Sequence, residues 1–96
     1  MKISYIYIIT NGEDYKVGVS VNPKRRIKQL QTGNPETLKI AATFKLPADK
    51  VYSLEKEAHR EIQYKYQKRG EWFKGATFFH INLLVDMICD GHIIEE

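Results

Sequence analysis

Cysteine is almost absent from this chain. Cys89 is the only one, which excludes an internal disulfide and fits a reducing compartment. Cys89 and His92 alone cannot make a zinc site, which takes four ligands. With 3 prolines and 6 glycines scattered over 96 residues, there is no linker, low-complexity tract or internal repeat. Long apolar runs are also missing. The N-terminal stretch Ile3 to Thr10 is only about eight residues, is interleaved with tyrosine, and lacks a small-residue cleavage site. These absences leave a cytoplasmic globular chain of a length that suits one compact domain over residues 1–96.

The composition is that of a chain able to build a core, with 43% hydrophobic and 28% charged residues. The formal net charge is +3, and its distribution says more than its size. Basic side chains crowd into Lys24, Arg25, Arg26 and Lys28, and again into Lys65, Lys68, Arg69 and Lys74, whereas the chain ends on Glu95 and Glu96. A basic face suits a polyanionic partner, and it equally suits solvated helix surfaces.

Residues Ile3 to Thr10 and Tyr15 to Ser20 are rich in β-branched and aromatic types on either side of Asn11-Gly12, a hairpin signal. A turn over Asn11 to Asp14 pairs Thr10 with Tyr15 and Ile9 with Lys16, which sets Tyr7 opposite Gly18 and leaves space over the tyrosine ring. Asn22-Pro23 supplies an N-cap and a first-turn proline for a helix over Pro23 to Gln31, with Gly33 as its stop. Leu38 to Leu46 alternates as a third strand. A second helix opens at Pro47-Ala48-Asp49 and continues to about Tyr66, before Lys68-Arg69-Gly70 breaks it. The aromatics of Gly70-Glu71-Trp72-Phe73 are expected to seal the core. A last helix, about 77 to 90, carries Ile81, Leu84, Val85 and Ile88 on one side, and Leu83 and Met87 on another. The expected class is α+β, with a small three-stranded antiparallel sheet flanked by helices.

One residue disturbs this pattern. In the second helix Val51, Leu54, Ala58 and Ile62 form one stripe, and Glu55 falls within about 40° of its middle. An ionised carboxylate there requires a hydrogen-bond network, a cation, a metal ion or a pocket open to water. Arg26 lies at the edge of the first helix's stripe of Ile27 and Leu30, a position open to a half-buried role or to snorkelling at the surface.

Tyr5-Ile6-Tyr7 on one strand, Lys16-Val17-Gly18 on the next, Arg26 in the following helix and Glu55 on the inner face of a later one resemble the GIY-YIG nuclease superfamily over residues 3 to about 75. The pieces Tyr15-Lys16-Val17-Gly18, Leu54-Glu55 with His59, and Gly70-Glu71-Trp72-Phe73 are similar to a phage-type branch of it. Two positions depart from the family pattern: Tyr5 stands for the first glycine, and Lys16 for the second motif's tyrosine, unless Tyr15 takes that place. The resemblance implies the GIY-YIG fold, DNA as partner, and Glu55 as ligand to one Mg²⁺ or Mn²⁺. Its catalytic set here would be Tyr7, Lys16, Arg26 and Glu55, with Tyr15 and His59 beside them. Lys24, Arg25, Lys28, Lys68 and Arg69 would contact the nucleic acid.

The chemistry of a phosphodiester agrees with such a set. Hydrolysis needs an activated water and positive charge at the phosphoryl and leaving oxygens. Arg26 could donate two hydrogen bonds to the non-bridging oxygens, a geometry lysine cannot copy. A free phenol, titrating at about 10, is a weak base at neutral pH, so Tyr7 would act on the water with help from a cation such as Lys16. His59 is open to four roles: a bond to Glu55, a phosphate contact, proton transfer or packing. Trp72 reads as a core plug before a base-stacking platform, and Glu71 as a member of the site or a lysine's partner. Two rival readings remain: a nucleic-acid-binding module without turnover, and a protein-interaction domain or homodimer using the last helix. Residues 76 to 96 are too few for a separate reading domain, so low sequence specificity or a separate partner is expected.

Overall fold

The computed structural model describes residues 1–95, so Glu96 of the acidic end lies outside the described residues. Strands β1 (Ile3–Thr10) and β2 (Tyr15–Ser20) form the hairpin that their composition dictates. The Asn11 side chain accepts hydrogen bonds from the amides of Glu13 (3.0 Å) and Asp14 (2.8 Å), and Gly12 takes φ 103°. An Asx-type turn of this kind folds locally because Asn supplies the acceptor and Gly tolerates the left-handed backbone. The resulting register sets Thr10 against Tyr15, Ile9 against Lys16 and Tyr7 against Gly18, as expected.

Helix α1 (Pro23–Gln31) starts where Asn22 accepts a bond from the Arg25 amide at 3.1 Å and ends before Gly33 at φ 78°. Gln31 then secures the loop that follows, donating to the Glu36 carbonyl and accepting from the Leu38 amide, both at 2.8 Å. Strand β3 (Lys39–Pro47) pairs antiparallel with the other edge of β1. Helix α2 (Val51–Gln63) begins two residues later than Asp49, whose side chain does not cap it, and ends three residues before Tyr66. There the amides of Lys65 and Tyr66 both bond back to the Ile62 carbonyl and tighten the chain into turns. Two two-residue strands, β4 (Lys68–Arg69) and β5 (Trp72–Phe73), follow, and helix α3 (Phe78–Cys89) is capped by Thr77.

The class is α+β as expected, but the antiparallel sheet has five strands in the order β3-β1-β2-β5-β4, not three. The two extra strands are too short to leave a pattern of period two. They exist because β5 pairs Phe73 with Tyr15 and Trp72 with Lys16 at the free edge of β2. Lys74 adds an ion pair to the buried Asp14 at 2.5 Å.

Strand alternation divides the interior in two. Ile6, Ile8 and Val17 face α2 and α3, meeting Leu54, Ala58, Ile62, Ile81 and Val85 in the main core. Tyr7 and Ile9 face the other way and pack with Leu38 and with Ile27 and Leu30 of α1. Phe73 is fully buried, so it seals the main core as its composition suggested, while Trp72 is half-buried on the α1 face. On α3, Ile81, Val85 and Cys89 are buried, and Leu83 and Met87 are exposed.

Gly18 is the tightest position in the sheet. A methyl group added there would collide with the hydroxyl and Cζ of Tyr7, a residue that is itself only 2% exposed. Gly18→Ala is therefore expected to destabilise the fold by about 1–3 kcal/mol through overpacking, measured by chemical denaturation, with the Tyr7 resonances displaced.

Candidate active site

Strand β5 pairs with only the first two residues of β2. From Val17 to Ser20 the outer edge of β2 therefore has no strand beside it, and a cleft of about 770 Å³ opens along this edge. Because an edge is reached from both faces of a sheet, residues of the two half-cores meet there. Tyr7 and Arg26 come from the α1 side, and Glu55 and His59 from α2. Five basic side chains, Lys16, Arg26, Lys56, Arg60 and Lys68, line the cleft against two carboxylates, Glu55 and Glu71. The cleft is thus positive, which suits a phosphate.

Tyr7 lies at the floor of the cleft with its hydroxyl end over Gly18. Lys16 is its diagonal neighbour on the same sheet face, two residues before Gly18. The Lys16 side chain is 9% exposed and its ammonium is ion-paired to Glu71, whose side chain is 68% exposed. Arg26 is half-buried at the wall of the cleft, and its guanidinium reaches Gln29 at 3.4 Å.

Glu55 is half-buried at the margin of the α2 stripe and, among the described residues, forms no ion pair. Its carboxyl titrates above the ordinary value of 4.5, first because burial disfavours the charged form and second because Glu71 repels it; attraction by Lys68 opposes both and loses. Glu71 shifts the other way. The hydrogen bond and charge of Lys16 hold its carboxyl below 4.5, helped by Arg26 and Lys68. The two carboxylates therefore share one cleft with opposite proton affinities.

His59 donates from Nε2 to the Val17 carbonyl at 2.7 Å, satisfying an acceptor on the strand edge that β5 leaves open. Its ring stacks at a tilt on Phe73, with centroids 5.1 Å apart, and its buried Nδ1 has no hydrogen-bond partner among the described residues. Burial lowers the pKa of this imidazole from 6.5, against the raising effect of the Val17 bond, so the ring is neutral at pH 7. The geometry gives His59 a packing contact on Phe73 and, beyond the roles open from its sequence position, a tether between α2 and β2.

Tyr15 must be corrected. It sits on the opposite face of β2 from Lys16, packs with the main core and meets Phe78 at 6.3 Å between centroids, so it does not enter the cleft. Strand alternation is the reason: in this register only one of two consecutive residues can face Tyr7. Of the basic residues, Lys68 lines the cleft, with its ammonium 5.9 Å from the Phe73 ring centre, and Arg69 is exposed beside it on β4. Lys24, Arg25 and Lys28 are exposed on α1 and do not line the cleft.

Glu71 and its pairing with Lys16 were only half visible in the sequence. The Gly70-Glu71-Trp72-Phe73 run marks the segment, but the partner lies 55 residues away. For a metal ion the donor set is oxygen only. Among the described residues there is no group of three His, Cys, Asp or Glu that could enclose one. A single unpaired carboxylate at an open cleft fits a hard cation that keeps most of its water, as Mg²⁺ does, and a cation at Glu55 would offset both the burial and the repulsion that raise its proton affinity.

No curated protein and no solved structure gives a significant match to this sequence. A family model, that of the T5orf172 domain, matches residues 4–89, which take in the sheet from the second residue of β1 onward, all three described helices and the whole cleft. The chain belongs to the T5orf172 domain family, a nuclease-related group.

Proposed function

We propose that the chain is a metal-dependent endonuclease of the GIY-YIG type, hydrolysing DNA phosphodiester bonds with Tyr7, Lys16, Arg26 and Glu55. One observation carries this reading: four residues from two strands and two helices, on opposite faces of the sheet, meet in one open and positive cleft. A carboxylate turned inward for structural reasons alone would be closed off against a cation. Glu55 instead opens to solvent.

Arg26 reaches the non-bridging oxygens of the phosphate and stabilises the charge they gain as the phosphorus is attacked. Tyr7, fixed over Gly18, orients the attacking water and takes up its proton. Lys16, on the same face, sets a positive charge beside the attacking oxygen once its ammonium is free. His59 keeps α2 against β2 and so holds Glu55 at the cleft. Glu55 would hold one Mg²⁺ or Mn²⁺, which when bound supplies positive charge at the phosphoryl and leaving oxygens. Lys24, Arg25, Lys28, Lys68 and Arg69 add sequence-independent attraction for the DNA backbone.

The Lys16–Glu71 ion pair favours a second reading, in which the chain binds nucleic acid without turnover because Lys16 is neutralised. The two readings separate on simple assays. Purified protein with Mg²⁺ or Mn²⁺ should nick or cleave DNA, and Glu55→Ala should abolish this; cutting undiminished in that variant would remove the metal assignment. Salt-sensitive, metal-independent binding with no product from any DNA form would select the binding module.

Arg26→Lys should retain folding and lower kcat by about 10²- to 10³-fold, the scale of one lost transition-state donor, in a single-turnover assay. The pH profile follows from Glu55. The ionised carboxylate is the active form, and its pKa is raised, so the rate should fall as pH drops through a value above 4.5. Lys68→Gln removes the cation that opposes this shift, and the acid limb of the kcat profile should then move to higher pH. An acid limb that stays put in this variant would separate it from Glu55.

A further inference from the structure

The Lys16–Glu71 pair is an unexpected occupant for a phosphate site. Lys16 is buried and fixed on β2, whereas Glu71 is largely exposed at the turn between β4 and β5. The two strands that carry this turn are two residues long, and Gly70, at φ 62°, precedes Glu71. Little structure has to move for Glu71 to swing away. Its carboxylate meets the ammonium of Lys16 directly and feels the charges of Arg26 and Lys68. A phosphodiester entering the cleft would be drawn to the same three cations.

We propose that Glu71 is an internal competitor for the phosphate subsite, holding Lys16 until a nucleic-acid strand displaces it, so that the cleft admits polynucleotides and rejects free phosphate and mononucleotides. The inference rests on the hydrolytic reading for the identity of the subsite. Its physical basis is effective concentration. A tethered carboxylate competes as though present at millimolar or higher concentration, which a small phosphate with one point of attachment does not overcome. A strand brings neighbouring phosphates to Lys24, Arg25 and Lys28 on α1 and to Arg69 on β4, all exposed. Each such contact releases a counterion and adds to the driving force for displacement. Repulsion between Glu55 and Glu71 assists, because the carboxylate that leaves Lys16 also leaves Glu55. Displacement frees the Lys16 ammonium on the face of the sheet that holds Tyr7.

Glu71 would therefore set substrate specificity without touching the reacting atoms. The test is metal-free, with inorganic phosphate and a short single-stranded oligonucleotide titrated separately into wild-type protein and Glu71→Gln, and binding followed by calorimetry. Glu71→Gln should bind phosphate about tenfold or more tightly than wild type, narrowing its preference for the oligonucleotide, and adding Lys16→Gln should cancel that gain. Unchanged or weaker phosphate binding in Glu71→Gln would overturn the proposal, as would a gain that survives the loss of Lys16. A measurement on the wild-type chain guards against a poorly folded variant. The carboxylate carbon resonance of Glu71 should shift on saturation with oligonucleotide but not with millimolar phosphate, and a resonance unmoved by the oligonucleotide would also sink the idea. Neither assay involves cleavage, so an inactive enzyme leaves these results standing, and a failed competition leaves the hydrolytic reading intact.

Discussion

Beyond Lys16 the outer edge of β2 is unpaired, and that open edge organises everything around it. An exposed strand edge leaves backbone groups without partners and invites pairing with other chains. Here the Val17 carbonyl is taken by His59 of α2, a helix that packs on the main-core face of the sheet. Had β5 continued to pair past Trp72, it would have covered Gly18 and closed the cleft. The shortness of β5 and the smallness of Gly18 thus act together. One leaves the edge open, and the other leaves room for the hydroxyl end of Tyr7.

A site at an edge can draw on both faces of the sheet, which a site on one face cannot. Tyr7 and Arg26 belong to the half-core under α1, while Glu55 and His59 belong to the half-core under α2. The same geometry explains why two glutamates a short distance apart in space behave differently. Glu55 is half-buried at the wall of the cleft, and the attraction of Lys68 is too weak to offset that burial. Glu71 stands in water and is bonded to a buried ammonium. Burial raises one proton affinity, and a cation lowers the other.

The hairpin and α1 were legible residue by residue. Asn11-Gly12 and Asn22-Pro23 are local signals whose hydrogen bonds close within four residues, so no distant part of the chain can override them easily. The register that follows from the turn already put Gly18 under Tyr7. The inner face of α2 was legible too, because a helix reports its buried stripe at fixed spacing, and Glu55 stood out against it. Tyr15 was misplaced because a motif names neighbours in sequence, whereas a strand sends neighbours to opposite faces. Strands β4 and β5 escaped notice because two residues carry no periodicity, and they are held by a pairing made elsewhere.

By itself the sequence determined the local elements, the α+β class and the odd position of one carboxylate, since turns, caps and amphipathic stripes are written in side chains within a few residues of one another. Only the tertiary structure decided that the sheet has five strands, that Glu71 neutralises Lys16 across 55 residues, and that His59 serves the free carbonyl of Val17. Ion pairs and edge contacts depend on where folded elements finally rest. Their partners are chosen by proximity in space, which no spacing along the chain encodes.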